Sequence, residues 1–254
     1  MGILNLTPDS FSDGALYQKP ALALARAQRM IDEGAEIIDV GAESTRPYTG
    51  ATPVDAEEEM RRLAPLADIV RLGAPVSIDT MKAEVARWAL GQGVAIVNDV
   101  WGLQRDSEMA WVVAEADANL IVMHNRDAID PEIDIVADMV AFFERSLAIA
   151  ARAGVASNRL CLDPGIGFGK TPRQSLQALA RLTALAPFGL PILVGASRKR
   201  FIASVSTSTT AERIGGTLAA HLWAAQNGAC ILRAHDVFET AQALAIARAI
   251  EQAR

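Results

Sequence analysis

Cysteine is nearly absent: Cys161 and Cys230 are the only two in 254 residues, which excludes a disulfide-stapled scaffold. Both fall in apolar stretches that read as strands with another strand between them, separated by roughly twice the ~4.8 Å strand spacing. That is beyond disulfide reach, so both are expected as buried free thiols. Long apolar runs are missing too, and no segment is long enough to span a bilayer. Met1 leads straight into Gly2-Ile3-Leu4-Asn5, without the charged and apolar regions of a signal peptide. A cytoplasmic protein with no membrane partner is expected. Excess positive charge is also lacking: 24 Lys and Arg stand against 30 Asp and Glu, a net charge of −6. With no basic stripe, nucleic acid is not expected as a partner, while a local site for a small anion stays open. Linkers, low-complexity tracts and sequence repeats are absent as well, so residues 1–254 are expected to form one domain.

What the chain has is alternation. At 51% hydrophobic residues it can build a large core. Short apolar runs at Gly2 to Leu6, Glu36 to Val40, Pro75 to Asp79, Val94 to Asn98, Asn119 to Met123, Arg159 to Asp163, Leu190 to Gly195 and Ala229 to Arg233 read as strands. Helical stretches follow each: Pro20 to Glu33, Val54 to Val70, Lys82 to Leu90, Ser107 to Glu115, Ile135 to Ala153, Pro172 to Leu185, Ala211 to Gln226 and Val237 to Ala253. Gly34, Gly73, Gly91, Gly154 and Gly228 stand where helix ends need glycine, and Thr52 or Asp236 can cap a start. Strands such as Ile37-Ile38-Asp39-Val40 are mostly apolar, as in a parallel sheet covered by helices. Eight such units favour an α/β fold, a single-domain (β/α)8 TIM barrel.

In such a barrel, loops after the strands build the active site, and nearly every strand here ends in a polar residue. They are Asn5, Glu43, Asp79, Asn98, His124, Asp163, Ser197 with Arg198 and Lys199, and Arg233 with His235. Strand alternation turns Asp163 towards the mouth, Cys161 inward below it and Leu162 to the helices. After Asp163, a Pro and three alternating glycines let the backbone approach a flat ligand closely; a plain turn aspartate fits the same pattern. By chemistry, Asp79, Asn98, Asp163 and Lys199 suit a planar, amide-rich ring, while Arg233, His235 and Asn5 suit an oxyanion or its metal.

These residues carry a resemblance. Met1 to Gly14, reading MGILNLTPDSFSDG, resembles the opening signature of the dihydropteroate synthases. Glu43-Ser44-Thr45-Arg46-Pro47, Ser77-Ile78-Asp79-Thr80, Asn98-Asp99, Asp163 to Lys170, Ser197-Arg198-Lys199 and Arg233-Ala234-His235 resemble that family's remaining motifs in order. The resemblance implies that p-aminobenzoate displaces pyrophosphate from 6-hydroxymethyl-7,8-dihydropterin diphosphate, giving 7,8-dihydropteroate in folate synthesis. It implies pterin binding by Asp79, Asn98, Asp163 and Lys199. It implies diphosphate binding by Asn5, Arg233 and His235 with Mg2+, for which Asn5 is the expected ligand. Thr45, Arg46, Pro47, Phe168 and Ser197 are implied for p-aminobenzoate, and Asp79, Lys199 and Arg233 are expected to carry the chemistry. The family also implies a homodimer through late helices and sulfonamide drugs as inhibitors.

The chain departs from the family pattern at Gly14-Ala15, Gly41-Ala42, Tyr48 and the rim Asn125-Arg126-Asp127-Ala128. The polar segments Thr7 to Lys19 and Glu43 to Thr52 are long enough to fold over the mouth and exclude water. Two other readings remain: a pterin-binding domain that passes a methyl group to a corrinoid, and a catalytically silent paralogue. The first leaves no pyrophosphate for Arg233 and His235 to hold.

Overall fold

The computed structural model describes residues 1–7, 19–43 and 54–253. In chain order the elements are β1 (Gly2–Asn5), α1 (Lys19–Asp32), β2 (Ile38–Gly41), α2 (Ala56–Arg62), α3 (Leu66–Val70), β3 (Val76–Asp79), α4 (Ala83–Gly91), β4 (Ile96–Asp99), α5 (Met109–Glu115), β5 (Asn119–Met123), α6 (Ile135–Ala153), β6 (Leu160–Asp163), α7 (Pro172–Ala180), β7 (Ile192–Val194), α8 (Arg200–Val205), α9 (Ile214–Gln226), β8 (Ala229–Leu232) and α10 (Val237–Gln252). The eight strands pair in parallel in the order β1 to β8. Backbone bonds around Met1 close the ring: its ammonium donates to Leu232 O at 2.9 Å, Ala234 N donates to Met1 O at 2.9 Å, and Ile3 N donates to Ala234 O at 3.0 Å. The result is the expected (β/α)8 barrel.

Strand parity divides the core. Outward residues such as Leu4, Ile38, Val40, Ile78, Val97, Leu120 and Leu162 join the helix faces in the main apolar layer. Inward residues Ile121, Cys161 and Leu193 form a second cluster against Met1, Ile96 and Ile231 at the barrel floor. Cys161 is buried there, as expected, and burial pushes its thiol up to about 12. Cys230 is exposed, contrary to expectation. Parity turns it outward, where β8 borders an open groove of about 300 Å³ beside α9 and α10 instead of a packed helix face.

Helix ends follow local chemistry. Asp134 caps α6 by accepting from Val136 N and Ala137 N, and Gly154 ends it at φ 87°. Thr171 and Gln174 form a capping box on α7, with Pro172 at its first turn. Three expectations are corrected. Gly91 is the last residue of α4, and Gly93, at φ 96°, makes the turn. Asp236 makes no cap bond, because its carboxylate holds the guanidinium of Arg198. The stretch expected as one helix over Val54 to Val70 is two, α2 and α3, with Pro65 at the start of α3, where its missing N–H costs nothing. Thr52 lies outside the described residues.

Candidate active site

The mouth is built in layers set by register. Asn5 pairs with Gly41, Gly41 with Asp79, and Asp79 with Asn98, so these four lie at one level around the wall. Gly41 packs closely there: a Cβ on it would stand 3.3 Å from Asp79 Cβ. Met123 and Asp163 pair one step nearer the opening.

Arg233, on the last inward position after β8, reaches into this layer. Its Nε donates to Asp39 Oδ2 at 2.6 Å and a terminal nitrogen donates to Asp79 Oδ2 at 2.8 Å. Burial works against the cation, but the two carboxylates outweigh it and hold the guanidinium above its ordinary pKa. Burial pushes the Asp79 carboxyl up, and Arg233 opposes that shift. Asp163 is pushed up by burial too, against the Gly165 N–H that its Oδ1 accepts at 2.7 Å and the charge of Arg233. Asp163 and Arg233 therefore share one mouth.

Other expected residues gather around them. Lys199 Nζ lies 4.1 Å from the centre of the Phe168 ring and acts electrostatically on both Asp79 and Asp163. Ser197 Oγ accepts from His235 N at 3.1 Å and meets His235 Nδ1 at 3.0 Å, joining the β7 and β8 exits. Asp79 Oδ1 and Asn98 Oδ1 are buried without a hydrogen-bond partner. Buried acceptors of this kind are rare because each forfeits a bond it had in water. At the strand ends they suit the N–H groups of a heterocycle. Thr45, Arg46 and Pro47 lie outside the described residues, as do 8–18 and the rest of 44–53. Glu43 marks the edge of the second segment, taking Val54 N at 3.1 Å and Lys82 Nζ at 2.5 Å.

One strand-end residue points elsewhere. His124 is fully buried on the outer side of β5, edge-on to Phe142 and bonded through Nε2 to Asp138 on α6 at 2.9 Å. Apart from Phe168, the residues that complete the mouth are ones that sequence reasoning did not single out. Asp39 anchors Arg233, and its signal was a lone carboxylate in an apolar strand two positions before Gly41. Val100, Met123 and Phe168 form a small apolar cluster with Met81 and Trp101, a surface suited to a ring face.

The fold and this mouth define a barrel enzyme that binds a flat, donor-rich ligand at its strand ends. A family model described as "Pterin binding enzyme" matches residues 1–235. The dihydropteroate synthase of Bacillus subtilis (strain 168) is 45% identical over 244 residues, covering 95% of this chain and 85% of that one. A dihydropteroate synthase structure from Clostridium difficile, in the presence of pteroic acid, superposes with a TM-score of 0.94 at 44% identity, covering 98% of this chain and 95% of that one. The Xanthomonas albilineans dihydropteroate synthase in complex with 7,8-dihydropteroate gives 0.90 at 38%, covering 99% and 92%. The chain belongs to the dihydropteroate synthase family of pterin binding enzymes.

Proposed function

We propose that this enzyme condenses 6-hydroxymethyl-7,8-dihydropterin diphosphate with p-aminobenzoate, releasing pyrophosphate and forming 7,8-dihydropteroate. The observation that carries the reading is the pair of partnerless buried acceptors, Asp79 Oδ1 and Asn98 Oδ1, at one level of the mouth. With Asp163 above them they offer a row of acceptors to the pterin's N–H edge, and Lys199 adds a donor on the opposite side. The apolar cluster of Val100, Met123 and Phe168 covers a ring face.

In the reaction the bond between the pterin methylene carbon and the diphosphate oxygen breaks, and its electron pair leaves with pyrophosphate. The lone pair of the p-aminobenzoate nitrogen forms the new C–N bond, and that nitrogen then loses a proton. Positive charge spreads into the pterin ring as the bond breaks. The Asp79 carboxylate, whose charge Arg233 favours against burial, stabilises it when ionised, from a site that needs no reorganisation. The amine is already a nucleophile, so the protein's main task is placement. Asn5, His235 and Arg233 are the residues proposed for the departing diphosphate, and Thr45, Arg46, Pro47, Phe168 and Ser197, the last bonded to His235, are those proposed for p-aminobenzoate.

Asn5 fits Mg2+ as one hard amide oxygen. Among the described residues no group of three or more His, Cys, Asp or Glu could cage a metal alone, as suits an ion that keeps waters and takes its other ligands from substrate phosphate. When bound, Mg2+ supplies positive charge to the leaving diphosphate. We also propose a homodimer through α9 and α10, where Trp223, Phe238, Ile246 and Ile250 are exposed, and a cytoplasmic site, where the two free thiols stay reduced. Among the described residues no helix is long and apolar enough to cross a membrane. Pyrophosphate release tests the reaction: it is expected only when both substrates are present, and release without p-aminobenzoate contradicts the assignment.

A further inference from the structure

The turn that follows Asp163 rests on a buried lysine with no place in the reaction above. Lys170 is 3% exposed. Its Nζ lies 2.6 Å from His124 Nδ1, 2.9 Å from Gly165 O and 3.1 Å from Phe168 O. His124 Nε2 donates to the acceptor-only Asp138 carboxylate at 2.9 Å, which leaves Nδ1 to accept from Lys170. Burial lowers the pKa of the Lys170 amine to about 7, with Asp163 and Asp138 opposing that shift. Asp138 in turn pairs with Arg126 at 2.8 Å. The chain Lys170, His124, Asp138, Arg126 thus runs from under the turn to the outer surface of the barrel.

The same turn has little room to shift. A Cβ on Gly165, at φ 63°, would stand 1.9 Å from His124 O, and one on Gly169, at φ 55°, 2.5 Å from Arg126 Cβ. The turn is pressed on the β5 exit from above while Lys170 grips its carbonyls from below. Gly165 is the pivotal residue: its carbonyl binds Lys170 and its N–H fixes the Asp163 carboxylate at 2.7 Å.

We propose that Lys170 is a positioning residue, whose amino group, shared between His124 Nδ1 and the carbonyls of Gly165 and Phe168, holds residues 163–170 in the shape that presents Asp163 to the pterin ring. The proposal rests on the pterin reading of the mouth. It gives a role to the lysine buried under the turn after Asp163, and it makes His124, which faces away from the mouth, part of the same device.

The test compares the full-length enzyme with Lys170→Met in titrations with 6-hydroxymethylpterin and, separately, inorganic pyrophosphate. The dissociation constant for the pterin is expected to rise about tenfold or more, since small misplacements at a site are costly. That for pyrophosphate is expected to stay within about twofold, because Asn5, His235 and Arg233 lie on other strands. Equal weakening of both ligands, or unchanged pterin binding, overturns the proposal while leaving the pterin reading intact. Failure of the unmodified enzyme to bind the pterin overturns that reading instead. Should the variant not fold, 15N histidine spectra of the unmodified enzyme decide: His124 is expected protonated on Nε2 alone, and a proton on Nδ1 overturns the proposal.

Discussion

Removing the Arg233 cation isolates the electrostatics of the mouth. Asp39 is fully buried and Asp79 nearly so, and both carboxylates lie within 2.8 Å of one Arg233 nitrogen. In Arg233→Met the apolar stem is kept and the charge is lost. Taking one partner from a buried ion pair costs about 3–5 kcal/mol, because the remaining charge has no water to replace it. The two carboxylates cannot then both stay ionised, and one binds a proton with a pKa raised above its unfolded value. A group raised in the folded state stabilises below its unfolded pKa, near 4, and loses that contribution as pH rises through the folded value. The deficit of Arg233→Met relative to the parent is therefore expected to be largest near pH 8 and smallest near pH 5, measured by urea unfolding at both. Adding Asp39→Asn removes one of the repelling charges and is expected to restore about 1–2 kcal/mol at pH 8. A variant as stable as the parent at pH 8, or no gain from the second substitution, would refute the reasoning. Because Asp79 loses its anchor, pterin binding is expected to weaken along with diphosphate binding, so the two subsites are joined through this residue.

Other outcomes follow from single groups. Asp163→Asn removes a charged acceptor facing the ring and is expected to weaken pterin binding by about 2 kcal/mol, or about thirtyfold; unchanged affinity in a calorimetric titration speaks against the assignment. His221 is buried with both ring nitrogens partnerless, and burial lowers its pKa to about 4. The folded state thus resists a proton that the unfolded chain takes up near 6.5, so this residue should cost up to about 3 kcal/mol of stability as pH falls from about 6.5 to 4. His221→Leu should flatten that limb of the stability profile, and an unchanged slope rules the residue out as its source. If the proposed dimer forms through α9 and α10, Phe238→Glu on α10 is expected to shift it to monomer in sedimentation velocity; a parent that is already monomeric disproves the interface.

The barrel was legible because most strands are short apolar runs closed by a polar residue, and several helices carry their own punctuation. Parity alone placed Cys161 inward and Leu162 outward. The same arithmetic did not reveal that Cys230 is exposed, since that depends on how far α9 and α10 stand from β8, a packing distance that no local pattern encodes. His124 looked like a site residue by position, yet its place at the end of β5 is on the outward parity. The reach of Arg233 to Asp39 passes from β8 over β1 to β2, between residues 194 apart in sequence, and only the closed fold brings them together. The break between α2 and α3 was readable in Pro65, and the Arg198 pairing that takes Asp236 from its cap was not.

A crystal soaked with a non-hydrolysable pterin diphosphate analogue examines the central arrangement most directly. The ring's N–H groups are expected within hydrogen-bond distance of Asp79 Oδ1, Asn98 Oδ1 and the Asp163 carboxylate, with the diphosphate beside Asn5 and His235. A ring bound elsewhere, or one seated in the mouth with its diphosphate pointing away from the β1 and β8 exits, would contradict the account.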